Sequence, residues 1–351
     1  MSDAPHPALR DALVAWFRAA RRDLPWRRTR DPYAIWVSEV MLQQTRVDTV
    51  IPYYTRFLRD FPTARALADA PESEVLARWS GIGYYRRARL LHAAAKAVVE
   101  RHGGELPADH AQLRALPGVG DYTAGAVGSI AFGLAVPLVD GNVERVLCRL
   151  FAIPGDPKTT AVKRRVWSLA AALVVGADPG DLNQALMELG ATVCAPTSPR
   201  CLTCPARAWC AGAREGDPAR YPEKPARARP PTERWRALIA TRGDAIWLSP
   251  SAMDRWKGML IPPMTRGDDP PAAEVPLAGR SDVGVVVHTL TNARMEITVA
   301  LAGMPGDPPW GAMIPRSELG ARAVPKVTRA LIQRALGDAP VTPRAPRGES
   351  P

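Results

Sequence analysis

Apolar residues recur at helical spacing through LRDALVAWFRAA, PYAIWVSEVMLQQ, ARLLHAAAKAVVERH and TAVKRRVWSLAAALVVG, which predicts a chain of helices across residues 8–210. Short Pro/Gly breaks part them at Pro62, Gly81–Gly83, Pro117–Gly120 and Pro154–Gly155. Residues 211–232 are rich in Pro, Arg and Ala and poor in apolar side chains, the composition of an interdomain linker. Beyond them the pattern changes to alternation. RWRALIAT and AIWLS flank Gly243–Asp244 as the arms of a hairpin would, and VGVVVHTL and ARMEITVALA read as further strands. VPKVTRALIQRAL, with Pro325 near its start, reads as a helix. The pattern predicts an all-α domain over 8–210, a linker over 211–232, a smaller α/β domain over 233–338 and a disordered tail over 339–351. There is no internal repeat.

Composition adds a compartment and a class of partner. No apolar run approaches the roughly 18–20 residues that span a bilayer. MSDAPHPALR lacks the basic-then-apolar pattern of a secretory signal. The expectation is a cytoplasmic protein with no membrane partner. A formal net charge of +11 favours a polyanion, although an Arg-rich composition imposed by GC-rich coding DNA gives the same balance.

Four of the five cysteines crowd into Cys194-x6-Cys201-x2-Cys204-x5-Cys210. In a reducing compartment such crowding points to a metal rather than to disulfides. Four thiolates suit either a 4Fe–4S cluster, one sulfur per iron, or zinc. Arg200, Arg207 and Arg214 border the cluster, as a phosphate-contacting surface or a solvated face would have them. Cys148, in RVLCRLF, reads as a buried structural thiol.

LPGVG joins DHAQLRAL to DYTAGAVGSIAF. No Lys-Ser/Thr follows the second glycine and no strand precedes it, so neither a Walker loop nor a dinucleotide fingerprint is present. What remains is a helix–hairpin–helix in which Gly118, Val119 and Gly120 expose backbone N–H groups to a DNA phosphate, or a plain turn between helices. Asp121 suits the helix dipole but would repel a phosphate if it faced one.

Two acids stand out. Glu39 lies in the otherwise apolar WVSEVMLQQT, where a charge is costly unless used or paired. Asp140, in AVPLVDGNVERV, stands at a helix start. A carboxyl group in an apolar site can donate a proton near neutrality, and one surrounded by donors stays ionised. Cleaving a sugar–heteroatom bond requires that division: an acid for the leaving group and a carboxylate for the oxocarbenium-like sugar. An Arg partner for Glu39 and an N-cap role for Asp140 are the alternatives.

VSEVMLQQTRVDTVIPYY, GIGYYRRARLLHAAA, LPGVGDYTAGAV, VDGNVERVL and the 6-2-5 cysteine spacing together resemble the adenine DNA glycosylases of the MutY family. These belong to the helix–hairpin–helix superfamily that includes endonuclease III. The resemblance covers residues 8–210. It implies a multidomain fold: an all-α helix–hairpin–helix glycosylase domain with an iron–sulfur cluster loop at 194–210, followed by a smaller α/β Nudix-like domain. The helical domain would comprise a six-helix barrel lobe and a cluster lobe.

The implied activity is removal of adenine mispaired with 8-oxoguanine or guanine in double-stranded DNA, by a monomeric enzyme of the bacterial cytoplasm associated with the nucleoid. The superfamily's cysteine spacing favours one 4Fe–4S cluster on Cys194, Cys201, Cys204 and Cys210 over zinc. Glu39 matches the acid that protonates adenine, Asp140 the carboxylate that stabilises the sugar cation, and Asn142 a neighbour that orients this region. Tyr122 fills the position of the Schiff-base lysine of bifunctional relatives, and a phenol forms no imine. Trp26, Arg27, Leu42 and Gln184 correspond to the adenine pocket, and Gln44 and Tyr84 to wedges near the oxidised guanine. RWKGMLIPP and VVHTLTNARMEITV carry the Nudix-like resemblance, a module that reads 8-oxoguanine. The hydrolase's Arg-Glu-x2-Glu-Glu helix is missing, and Leu290-Thr291-Asn292 replaces the family's Phe-Ser-His, so a hydroxyl survives at Thr291 without the aromatic. An endonuclease III-like glycosylase/lyase and a non-catalytic mismatch binder are the competing readings.

Overall fold

A computed structural model describes residues 6–223 and 230–337. Residues 224–229 of the expected linker and the expected tail at 339–351 lie outside the described residues. The chain forms two compact units, Met1–Ala68 with Ala93–Arg227, and Asp69–His92 with Ala228–Pro351. Among the described residues no helix is long and apolar enough to cross a membrane.

Helices run through the N-terminal part of the chain as the apolar period predicts. They are α1 (Pro7–Ala20), α2 (Pro32–Leu42), α3 (Val47–Asp60), α4 (Ala64–Asp69), α5 (Glu72–Trp79), α6 (Arg86–His102) and α7 (His110–Arg114). There follow α8 (Asp121–Phe132), α9 (Gly141–Leu150), α10 (Thr160–Val174), α11 (Pro179–Thr192) and the short α12 (Ala211–Arg214). In the first unit α2 packs on α3 and α8, and α11 packs on α1, α8 and α9. The local signals are simple. Asp31 caps α2 by accepting from the Tyr33 N–H at 3.0 Å, with Pro32 at the first helical position.

Two glycines of α11 allow its close approach to its neighbours. A Cβ at Gly180 would stand 2.6 Å from the Ser129 carbonyl oxygen, and one at Gly190 would stand 2.6 Å from the Asn142 Cβ. Both distances are far inside van der Waals contact, so a larger residue at either position would push α11 off α8 or α9. Those helices carry the site.

The second unit holds a sheet of β1 (Thr232–Arg242), β2 (Ala245–Pro250), β3 (Leu260–Ile261), β4 (Met264–Arg266), β5 (Ala278–Thr289), β6 (Arg294–Gly303) and β7 (Ala312–Pro315), followed by α13 (Lys326–Leu336). Its order is β3-β2-β1-β6-β5, with β4 beside β1 and β7 beside β2. The expected hairpin is present, pairing Thr241 with Ile246 across Gly243. β1 and β6 pair in parallel from Thr232↔Arg294 to Thr241↔Gly303. Consecutive buried residues at Ala237–Ala240 suit a central strand covered on both faces. One face packs Leu238, Ala240, Trp247, Ala300 and Ala302 together, and α13 packs against β1, β5 and β6.

The expected all-α span 8–210 needs one amendment. Helical residues 69–92 group with the sheet unit. The reason is tertiary: the Ser80 hydroxyl donates to the Val324 carbonyl, and the Tyr84 hydroxyl lies 2.8 Å from that of Thr291. The expected linker is also ordered where it begins. It contains α12, and Tyr221 is buried, with its carbonyl accepting from Arg149 Nε at 2.9 Å.

Candidate active site

In the first unit a cavity of about 240 Å³ is lined by Trp26, Arg27, Glu39, Leu42, Tyr122, Asp140, Asn142 and Gln184, with Met187 and Glu188 beside them. Eight residues named from sequence thus meet in one place. α2 supplies Glu39 and Leu42 one turn apart, the first turn of α8 supplies Tyr122, and Asp140 stands at the N-terminus of α9. α11 contributes Gln184, Met187 and Glu188 from one face. Trp26 and Arg27 sit on a single 3-10 turn, Pro25–Arg27. The Trp26 ring meets Tyr54 edge-on at 5.4 Å, and the Arg27 guanidinium lies over Phe17 at 5.2 Å.

Glu39 is only 4% exposed, and Tyr122 donates its phenolic proton to Glu39 Oε2. Burial raises the Glu39 carboxyl to about 7, with the Tyr122 hydrogen bond and Arg27 pulling it down and Asp140 pushing it up. Tyr122 is itself pushed well above the usual phenol range by burial and by the two carboxylates, so it stays protonated and donates. Asp140 has more help. Its Oδ1 accepts from Val143 N at 2.7 Å and Asn142 N at 3.0 Å, and its Oδ2 from Asn142 Nδ2 at 2.8 Å. Burial raises Asp140 too, against those three bonds and the nearby Arg145. The N-cap reading of Asp140 is therefore correct, and the same carboxylate lines the cavity.

Gly118, Gly120 and Gln44 line an adjoining cavity of about 480 Å³ that shares Leu42, Tyr122 and Asp140 with the first. Gly118 has φ +72°, and a Cβ on Gly120 would meet nothing within 4 Å. Packing does not require glycine at Gly120; the missing side chain leaves the backbone at the start of α8 open. Val119 is buried and anchors the turn. Asp121 pairs with Arg114, which removes the expected conflict with an anion. Gln44 is exposed with φ +58°, and the preceding Gln43 donates from Nε2 to Thr123 Oγ1 at 3.3 Å.

The four clustered cysteines line one small apolar cavity together with Arg149. None of them is paired in a disulfide among the described residues, and Cys148 is fully buried as expected. Arg149 donates to Cys194 Sγ at 3.4 Å and to the carbonyls of Ala195 and Pro196 at 2.6 and 2.8 Å. Arg145 donates to the carbonyls of Cys194 and Gly190 at 2.9 and 2.7 Å and to Asn142 Oδ1 at 3.0 Å. Burial pushes the Cys204 thiol up to about 11 and raises Cys210. Among the described residues no three His, Cys, Asp or Glu side chains stand close enough to hold one metal ion. Arg200, Arg207 and Arg214 are exposed around this loop.

Comparison with known proteins places the chain. Residues 37–172 match the model of the HhH-GPD superfamily base excision DNA repair proteins. The chain is 32% identical over 253 residues to an adenine DNA glycosylase of Buchnera aphidicola subsp. Acyrthosiphon pisum, covering 72% of each chain. This chain belongs to the adenine DNA glycosylase family. It is also 53% identical over 212 residues to the human adenine DNA glycosylase, covering 58% of this chain and 39% of that one. It spans about two fifths of the length of the mammalian and plant relatives it matches. Among solved structures, a thermostable thymine-DNA glycosylase superposes with a TM-score of 0.54 at 33% identity, over 59% of this chain and 95% of that one.

Tyr84, Leu290 and Thr291, also named from sequence, belong to the second unit. Tyr84, 45% exposed with φ +50°, shares a hydrogen bond with Thr291, and Leu290 N donates to the Ala293 carbonyl in the β5–β6 turn.

Glu188 escaped sequence reading. It accepts from Arg22 Nε at 2.8 Å and Nη2 at 2.7 Å, and from Arg27 Nη2 at 2.8 Å. Burial works to raise its carboxyl, but the two guanidinium groups prevail and hold it at about 2. The signal was available, since Glu188 sits in the apolar run ALMELG of α11 as Glu39 sits in that of α2. A carboxylate depressed on folding contributes stability above its unfolded value of about 4.3 and loses it as pH falls toward 2. Glu188→Ala is expected to cost about 3 kcal/mol at neutral pH, chiefly by stranding Arg27, because the 41% exposed Arg22 side chain can turn to water, and to flatten that acid limb in thermal melts.

Proposed function

We propose that this chain is a monofunctional adenine DNA glycosylase, which hydrolyses the N-glycosidic bond of adenine paired with 8-oxoguanine or guanine and leaves an abasic site. The observation that carries the reading is the pair of unlike carboxyl groups in one cavity: Glu39, protonatable near neutrality, and Asp140, wrapped in donors. The adenine must leave the stack, at a cost of about a few kcal/mol, to enter the cavity. Trp26 offers a ring face, and Arg27 and Gln184 offer hydrogen-bonding groups to the base edge. Glu39 gives its proton to a ring nitrogen, so that the C–N bond breaks with its electron pair leaving on neutral adenine. Asp140 then lies beside the sugar cation until water adds to its C1′, the water's proton passing to the Glu39 carboxylate left by the first step. Tyr122 holds the Glu39 proton site in place and offers no amine to the sugar.

The hairpin glycines suit a grip on the DNA backbone that ignores sequence. The second unit, with Tyr84 and Thr291 held together, fits the Nudix-like reader of the opposite base; Tyr84, and Gln44 of the first unit, serve as wedges. The protein acts as a monomer on nucleoid DNA in the cytoplasm. Cys194, Cys201, Cys204 and Cys210 fit a 4Fe–4S cluster, which would supply iron to hold the loop by its thiolates. The four sulfurs line one small cavity, and the superfamily's 6-2-5 spacing supports a multi-iron group over zinc. The purified protein is expected to be brown with broad visible absorption; Cys204→Ser should lose both colour and thermal stability, and a colourless zinc-loaded protein would overturn the assignment.

The activity is tested by measuring free adenine from duplexes carrying either mispair, with borohydride added in parallel. Adenine release without a trapped covalent adduct is the expected outcome. A trapped adduct would favour the glycosylase/lyase reading, and tight mismatch binding without release the non-catalytic one.

A further inference from the structure

The turn Gly81–Tyr84 between α5 and α6 carries three left-handed residues: Gly81 (φ +115°), Gly83 (φ +72°) and Tyr84 (φ +50°). The last is costly for an aromatic residue and persists only where surrounding contacts hold it. Its surroundings centre on Arg87. The Arg87 guanidinium lies 5.3 Å from the Tyr84 ring centroid and 5.5 Å from that of Trp79. Its Nη2 donates to the carbonyls of Gly83 at 3.2 Å and Ile82 at 3.4 Å, and Trp79 Nε1 also donates to the Gly83 carbonyl, at 3.1 Å. The Arg87 N–H donates to the Tyr84 carbonyl at 2.8 Å, which starts α6 on the turn. Trp79 is fully buried and Tyr84 nearly half exposed. The three planar groups thus lead from the core to the surface, with the cation between the two rings.

Burial pushes Arg87 down to about 10, so the site taxes the charge it holds. A guanidinium nevertheless does what no apolar residue could there. It lies over two rings while its Nη2 is shared between two carbonyls that no helix ladder satisfies. The ring of Tyr84 rests on this shelf, and its hydroxyl is tied to Thr291.

We propose that Arg87 is a positioning residue that holds Tyr84 in the raised pose from which it enters the base stack. The proposal rests on the reading of Tyr84 as a wedge. A lysine at position 87 would keep the charge and lose the flat face that lies over both rings.

The test uses the full chain and an adenine:guanine duplex with 2-aminopurine beside the mispaired guanine. Single-turnover adenine release and 2-aminopurine fluorescence on binding are followed for wild type, Tyr84→Ala, Arg87→Lys, Arg87→Gln and the double variant Tyr84→Ala/Arg87→Lys. Assays run at a temperature at which thermal melts show each variant folded. Arg87→Lys and Arg87→Gln are expected to lose the fluorescence change as Tyr84→Ala does and to slow release about tenfold or more. The double variant should be no slower than Tyr84→Ala alone. Wild-type fluorescence in both Arg87 variants, or losses that multiply in the double variant, would overturn the role of Arg87. If Tyr84→Ala itself keeps the fluorescence change and the rate, the wedge reading falls and the proposal falls with it.

Discussion

Glu39→Gln is expected to slow adenine release by about a hundredfold to ten-thousandfold, the range a positioned general acid supplies. The substitution is nearly isosteric, and the amide oxygen can still accept from Tyr122, so the cavity around it should persist. What is lost is the transferable proton. The pH dependence separates this from simple damage to the pocket. Glu39 acts in its protonated form, and burial puts its midpoint at about 7. Wild-type single-turnover rates should therefore be full in mild acid and fall about tenfold per pH unit above that midpoint, while the residual rate of the variant lacks this limb.

Stability should move the opposite way. A carboxyl group raised on folding contributes stability below its unfolded value of about 4.3, and that contribution is lost as pH rises through about 7. Glutamine carries no charge to bury, so Glu39→Gln should melt above wild type in mildly alkaline buffer. A variant that is both slower and less stable at that pH would mean that Glu39 is held by a structural partnership and supplies no proton.

The second large effect is at Asp140, where a helix cap and a catalytic charge occupy the same atoms. Asparagine caps as well as aspartate, and its amide oxygen can keep the bonds from the Asn142 and Val143 N–H groups. Asp140→Asn should thus retain the wild-type melting temperature to within a few degrees. It should nevertheless lose about a hundredfold to a thousandfold in rate, because no anion remains beside the developing sugar cation. Asp140→Ala should lose the rate and, in addition, about 1 kcal/mol of cap stability. Full activity in Asp140→Asn would reduce Asp140 to a cap. The pair of variants separates two roles that one carboxylate holds.

Most of the helices and strands were legible because their signals are local: period, caps and turn residues. Glu39 and Asp140 were legible because a charge in an apolar stretch is conspicuous without any partner in view. The remainder depended on pairing across distance. Arg22 and Arg27 meet Glu188 across more than 160 residues, and nothing in the intervening sequence announces it. The parallel pairing of β1 with β6, and the grouping of residues 69–92 with the sheet unit, have the same origin. Asp121 looked hostile to an anion because its neighbour Arg114 lies on the far side of the turn. Backbone hand was equally hidden: Gln44 and Tyr84 adopt left-handed conformations that their side chains do not advertise.

Arg149 gathers its acceptors in the order in which a ribosome makes them. Cys194, Ala195 and Pro196 come first, and the carbonyl of Tyr221 comes last, after the fourth clustered cysteine. A chain truncated after Cys210 would contain every thiol, yet one nitrogen of a buried guanidinium would lack its acceptor, and Glu223 would be missing from the Gly155 N–H. Cloning boundaries for this region should therefore follow Glu223, thirteen residues beyond the point at which the cysteine motif ends.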